Sequence, residues 1–464
     1  MKHPYLTDAR IYEDPTLPYL AERSRGRSLF RIKGGWNLVV PALFLLICLT
    51  QCKDEKEAVA VHDPNLPVEI TKFTPDSGGS ATQILIYGSN FGSDTSQIRL
   101  TFNGNRAPLI GCNGSVIYAL VPSGQLPPGL CDMKLQVGAQ EISIGQFNYI
   151  THYVISTLCG FTDQDGNSGF VNGPINEAQF INPIRLAFDG NKNIYVTDQM
   201  NGIRRIDAAH TTVTTPLMHG NGADEFRTVS FTQTYDTMIV AIYAWEVSLG
   251  LIVLTSRNDF STFDRVVYST QTCDGGAFHP VHYDYYFNSM IAGTMYKVTN
   301  RSTLPWIYED AFRIGGFTEA LIQFAPSGDF AYITSAYNNY ILKASYDWDK
   351  RTLNPPVAFV GVADNPDYLD GSLTNARVRG PRQGAFDEEG NFYFCDTGNH
   401  CIRKMTREGV VSTFAGRPEE SGYVDGELRE AQFKGPEGIL YDKDTKTFYI
   451  ADSGNRRIRK ISYE

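Results

Sequence analysis

The sequence has no basic block. Its net charge of -10 is spread over 464 residues, whereas a nucleic-acid partner needs a positive stripe facing the phosphates. Nucleic acid is therefore not expected as the main partner. The eight cysteines include no Cys-x-x-Cys pair, which argues against a zinc ribbon. Gly-x-Ser-x-Gly, His-Glu-x-x-His and phosphate-loop motifs are all missing, so no hydrolase, metalloprotease or nucleotide site with a local signature is expected. No catalytic residue, metal or cofactor is assigned. The apolar run at residues 38–49 is interrupted by Pro41. It falls well short of the roughly 20 residues that span a bilayer.

What is present points to many short strands. The chain holds 42 glycines, 26 tyrosines and 27 phenylalanines, a composition of strands joined by turns. Its length exceeds one small core, so two or more domains are expected.

At the N-terminus, Arg23, Arg25, Arg27, Arg31 and Lys33 precede an uncharged stretch from residue 34 to residue 52. Basic, then apolar, then a short exit region is the pattern of a signal peptide. The stretch ends Leu49-Thr50-Gln51-Cys52, which resembles a bacterial lipobox, with Gln51 where a small residue is usual. The resemblance implies that Cys52 is lipidated. Lys53-Asp54-Glu55-Lys56 follows and resembles the surface-export signal of some outer-membrane lipoproteins. The expected location is the outer membrane, lipid-anchored and facing the exterior. Residues 1–52 are read as leader and signal, and residues 53–65 as a tether. Of the six remaining cysteines, Cys112 with Cys131 and Cys395 with Cys401 are close enough in sequence to be candidate disulfides.

Residues 66–150 alternate short strands with turn clusters, a pattern for a small β-sandwich. Strands are expected at 70–73, 83–87, 97–102, 116–121, 133–137 and 146–150. Pro75-x-x-Gly78-Gly79 followed by Gly88-x-Asn90-Phe91-Gly92 resembles the IPT/TIG family of immunoglobulin-like domains. Such domains usually serve as spacers or interaction modules.

Residues 151–464 carry a repeat. Asn172-Gly173, Asp370-Gly371 and Asp425-Gly426 are each followed by an Ala (178, 376, 431), an apolar residue (Phe180, Val378, Phe433) and a Pro (183, 381, 436). Next come Phe188-Asp189, Phe386-Asp387 and Tyr441-Asp442. Each copy ends on Asp-x-x-Asn: Asp198 with Asn201, Asp396 with Asn399, Asp452 with Asn455. Four strands per unit of about 45–60 residues describe a propeller blade. The Asp-x-x-Asn stretch falls in the turn between strands two and three and reads as turn chemistry. Arg204, Arg403 and Arg459 recur in third strands and suggest pairing with Asp between blades. Between the first copy and the last two, strand-like pieces at 238–243, 285–288 and 330–334 fit three divergent blades, six in all. The last blade lacks a fourth strand. Residues 153–160 match the fourth-strand pattern of 409–416, so the first strand of this region is expected to close the ring. The segment resembles the NHL-repeat family. The expected fold is thus all-β, an immunoglobulin-like IPT/TIG sandwich followed by a six-bladed NHL-type β-propeller whose N-terminal strand closes the last blade.

Binding is expected where loops converge over the channel, on the divergent blades. Trp245, Glu246, Tyr337 and Tyr340 fall in loops between strands two and three, and His279 and Tyr283 lie near a first strand. Aromatic faces stack on partly apolar ligands such as sugar rings. His279 and His282, three apart in a strand, would face opposite sides and share no metal. Arg377, Arg379 and Arg382 could hold an anion or form a solvated face. Three functions remain open. The first is a non-catalytic surface lipoprotein whose partner is a polysaccharide or a surface protein complex, as resemblance to glycan-uptake lipoproteins implies. The second is a propeller lactonase, lyase or hydrolase with a metal at the channel mouth. The third is a protein scaffold without a small ligand.

Overall fold

The computed structural model describes residues 60–463 apart from 81, 123–125, 221–224, 244–249, 269–272 and 317. The leader, Cys52, Trp245 and Glu246 lie outside the described residues. The described chain is all-β, with helix only as five short 3-10 turns, and none of its helices is long and apolar enough to cross a membrane.

The first domain is two sheets packed face to face. One orders Glu69–Thr74, Gln83–Ser89, Val116–Leu120 and Leu109–Cys112; the other holds Ser77–Gly78, Gln140–Tyr149, Gly129–Val137, Ile98–Phe102 and Asn105–Arg106. Period-two patterning decides which face is inside. In Gly129–Val137, Cys131, Met133, Leu135 and Val137 are buried while Leu130, Asp132 and Lys134 are exposed. Opposite them, Ile84, Ile86 and Ile117 complete one core with Phe91, Phe102 and Phe147. The Gly88-x-Asn90 corner has a physical cause. A Cβ on Gly88 would stand 2.0 Å from the Glu69 carbonyl oxygen. Asn90 is left-handed (φ 63°), and its amide donates to the carbonyls of Asp63 and Leu66 at 2.9 and 2.8 Å. The corner thereby ties down the chain that enters the sheet.

Residues 153–463 form six sheets of antiparallel strands. The innermost strands are Pro183–Phe188, Glu225–Phe231, Gly276–Phe278, Ala320–Phe324, Pro381–Phe386 and Pro436–Asp442. Each touches the next, and the last touches the first. Six apolar clusters fill the seams between neighbouring blades. An open arc of six blades would have five seams, so the ring is closed. The repeat residues belong to these seams: Ala178, Phe180, Ala376, Val378, Ala431 and Phe433 are all fully buried.

Closure comes from Tyr153–Cys159, which pairs antiparallel with the chain's last strand, Arg457–Tyr463. It brings Ile155 opposite Ile461, both buried. Joining the two ends of the chain in one blade covers the outer edge of Arg457–Tyr463.

Candidate functional site

Strand order places two sets of connections on one end of the ring: the loops entering each first strand and the turns between strands two and three. The turns between strands one and two fall at the other end. The two ends differ in chemistry.

At the first end, the three regular blades share a clamp. Arg459 is fully buried. It donates to Asp452 at 2.9 Å, to Asp425 at 2.9 and 2.5 Å, and to the carbonyls of Gln432 and Val424. Arg403 repeats this with Asp396, Asp370 and the carbonyls of Arg377 and Leu369. Arg204 repeats it with Asp198, Asn172, Gln179 and Val171. Asp425 and Asp370 belong to entry loops that pair with the outer strand of the same blade. The expected pairing between blades is therefore corrected: each arginine pins its own blade's entry loop to its own Asp-x-x-Asn turn. A five-donor planar fork can reach two carboxylates and two carbonyls at once. The turn acids meet backbone as well, Asp452 accepting from Lys434 N at 2.8 Å and Asp396 from Arg379 N at 2.7 Å. Burial pushes Asp452 up to about 6 against the pull of Arg459.

Inside these clamps, every blade sends one charged side chain to the channel from the start of its innermost strand. In ring order they are Arg185, Arg227, Asp274, Glu319, Arg382 and Glu437. Arg185 meets Glu437 at 3.0 Å and stands 3.9 Å from both Asp274 and Glu319. Arg227 meets Glu319 at 3.2 Å, Asp274 at 3.7 Å and Glu225 at 2.9 Å. Arg382 contacts Glu319 directly and Glu437 at 3.6 Å. Arg185 and Asp274 are buried at 1% and 0% exposure, while Arg382 and Glu437 keep 19% and 20% of their side chains open. The network thus closes the channel at depth and presents polar atoms at its mouth. Among the described residues, several deep atoms have no hydrogen-bond partner, including both Asp274 oxygens and Arg185 Nη2. Burial, then the Glu319 charge, pushes Asp274 up to about 6. Burial acts on Glu319 too, but Arg382 and Arg185 outweigh it and hold that carboxyl below its ordinary value.

Aromatic groups border this mouth. Tyr337, half exposed at 52%, sits in the turn between strands two and three of blade four. Its phenol is pushed up by partial burial and then by Glu319, with Arg382 and Arg227 opposing. Tyr243 lies beneath the Arg227 guanidinium, 4.9 Å from ring centroid to Cζ. Tyr340 begins the next strand, and its hydroxyl takes an Asn338 amide proton at 3.2 Å.

His279 and Tyr283 lie at the opposite end, in the turn between strands one and two of blade three, so the sequence candidates do not converge. His279 is fully buried. Its Nδ1 accepts from the backbone N of His282 at 3.0 Å, and its Nε2 meets the Gly328 carbonyl at 3.0 Å. Those partners require a neutral ring protonated on Nε2, and burial lowers its pKa accordingly. The ring stacks on Tyr346, centroids 4.0 Å apart. This is a corner of the core with no free nitrogen for a ligand. His282 is in the same turn, not in a strand, and stacks on His279 at 5.2 Å; the expected opposite-face geometry is corrected. Tyr283 holds a left-handed backbone (φ 58°) there.

Arg377, Arg379 and Arg382 do not act as a group. Arg377 caps the carbonyls of Thr374, Asn375 and Ala376, and only Arg382 reaches the channel. The six described cysteines are free thiols, so neither candidate disulfide is formed. Among the described residues no group of three or more His, Cys, Asp or Glu stands close enough to hold a metal ion. Sequence reasoning missed Arg185, Arg227, Asp274, Glu319 and Glu437. Their signal was a charged residue at the start of each inner strand, visible after Pro183, Pro381 and Pro436 but hidden in the divergent blades.

The IPT/TIG domain family matches residues 67–153. NHL repeat-containing protein 2 of Gallus gallus is 34% identical over 98 residues, 21% of this chain and 13% of that protein; the chain thus spans a small part of that relative. An auxiliary nutrient binding protein from Bacteroides thetaiotaomicron is 34% identical, covering 87% of this chain and 99% of its own, with a TM-score of 0.67. Another from Bacteroides ovatus is 28% identical over 87% and 100%, with a TM-score of 0.73. The chain belongs to the same family as the Bacteroides thetaiotaomicron protein, a family in which this member joins an IPT/TIG domain to an NHL-repeat β-propeller.

Proposed function

We propose that the protein is a non-catalytic, lipid-anchored outer-membrane protein that faces the exterior and binds a neutral polysaccharide at the mouth of its propeller during nutrient uptake. The observation that carries this is the exposed Tyr337 ring near Glu319 and Arg382, at a mouth where Arg382 and Glu437 keep 19% and 20% of their side chains open. A sugar ring offers an apolar face and a rim of hydroxyls. Tyrosine stacks on the first, and fixed guanidinium and carboxylate groups hydrogen-bond the second. Neutral sugars fit best because the mouth has no excess of positive charge. Three guanidiniums (185, 227, 382) stand against four carboxylates (225, 274, 319, 437), leaving no free positive charge for an acidic glycan. The same arginines neutralise the carboxylates that a channel-mouth metal would need. Likeness to the auxiliary nutrient binding protein over nearly its whole length supports a binding role. The IPT/TIG sandwich serves as the spacer from the membrane.

The test is affinity electrophoresis of the protein through gels containing single neutral or acidic polysaccharides. Retardation by at least one neutral polysaccharide is expected. Free migration in every gel would remove this ligand class.

A further inference from the structure

We propose a second binding site at the opposite end of the propeller, between blades four and five, for a small carboxylate-bearing ligand of the sugar-acid class. A cavity of about 260 Å³ opens there, walled by Phe330 and Phe386 and bordered by Lys343, Arg407, Asp329 and Glu388. Its volume lies just below the range of drug-sized pockets, so the occupant is small, about one ring.

The charges around the cavity are unevenly satisfied. The Lys343 ammonium sits over three aromatic rings, 4.3 Å from Phe330, 4.8 Å from Phe359 and 5.9 Å from Tyr332. Among the described residues, Lys343 and Arg407 form no ion pair with a carboxylate, unlike Arg382 and Arg403 of the same two blades. The two acids are engaged elsewhere: Asp329 accepts from Trp348 Nε1 at 3.3 Å, and Glu388 from the Tyr441 hydroxyl at 2.6 Å. Two cations therefore border the cavity without a close ion pair, Glu408 acting on Arg407 only through space, and both lining acids accept from neutral donors. An ammonium part-buried among rings gains most from an anion that shares its low-dielectric setting.

Arg407 passes close over Gly390. Gly390 has a left-handed backbone (φ +80°), and a Cβ there would stand 2.4 Å from Arg407 Nε and 2.9 Å from its Cζ. The guanidinium lies flat against that glycine at the cavity wall. A carboxylate is the natural partner of such a fork. The edge-to-face pair Phe330 and Phe386, centroids 6.2 Å apart, supplies an apolar wall for the ring that bears it.

The experiment is calorimetric titration of the protein at low ionic strength with D-glucuronate, D-glucose and sulfate, repeated with Arg407→Gln and Lys343→Met. Glucuronate is expected to bind and glucose not to. Each substitution should weaken glucuronate at least about tenfold, while Tyr337→Ala at the other end leaves it unchanged. Arg407 is exposed, so Arg407→Gln remains informative even if Lys343→Met does not fold. No glucuronate binding, binding indifferent to Arg407→Gln, or sulfate binding without glucuronate would each overturn the proposal.

Discussion

Arg459 and Asp425 are joined twice through one oxygen: Nε and Nη2 of the arginine both donate to Asp425 Oδ1, at 2.9 and 2.5 Å. The remaining Nη1 turns inward to Asp452 at 2.9 Å. One side chain thus fixes an entry loop to a turn, and the loop to the mouth of the channel.

Removing that fork should leave Asp452 buried and unpaired. Arg459→Met is expected to cost on the order of 3–5 kcal/mol, measured by urea unfolding. Arg205→Met, whose partner Asp259 is 67% exposed, should cost under about 1 kcal/mol. Equal costs would mean that the clamp contributes no more than a surface pair.

Asp274 supplies a pH dependence. Its carboxyl rises from 3.8 to about 6 on folding. A group whose pKa is higher when folded contributes stability below its unfolded value and loses it as the pH climbs through the folded one. Asp274→Asn lacks that contribution at every pH. The substitution should therefore be costlier at about pH 4 than at about pH 7.5, by roughly 2–3 kcal/mol. Unfolding curves of both proteins at the two pH values check the sign.

How much of this was legible beforehand depended on whether the signal was local. The strands expected at 238–243, 285–288 and 330–334 appear as Thr237–Tyr243, Tyr285–Ser289 and Phe330–Ser335, because apolar runs of that length between turns leave little choice. Closure by residues 153–159 was legible because the strand matched a known fourth strand. Leu109–Cys112 was not expected; it is a short, partly exposed edge strand without clear alternation. The charged network was invisible because it is made by convergence. Asp274 and Glu319 precede their strands in blades that lack the repeat, and only the closed ring brings them to Arg185. His279 misled for a related reason. Its sequence neighbourhood resembles a site, but the fold turns both nitrogens to backbone.

Ring closure should govern the stability of the whole propeller. Ile155 is 1% exposed and opposes Ile461 in the last blade. Ile155→Ala is expected to cost about 2–5 kcal/mol while preserving a single unfolding transition of the propeller. A separate early transition confined to the last blade would show that the ring does not act as one unit.

Lipid anchoring rests on Cys52. Cys52→Ala should abolish incorporation of labelled palmitate and release the protein from the membrane fraction. An unchanged membrane fraction would contradict anchoring through that cysteine.

The central claim is that a neutral polysaccharide binds at the charged mouth and not at the other end. Its most direct test is the affinity of one retarding polysaccharide for Tyr337→Ala and for Arg407→Gln, which alter opposite ends of the ring. Tyr337→Ala is expected to weaken binding at least about tenfold, roughly 1.4 kcal/mol, and Arg407→Gln to leave it unchanged. Loss with Arg407→Gln and none with Tyr337→Ala would place the polysaccharide at the wrong end and contradict the account.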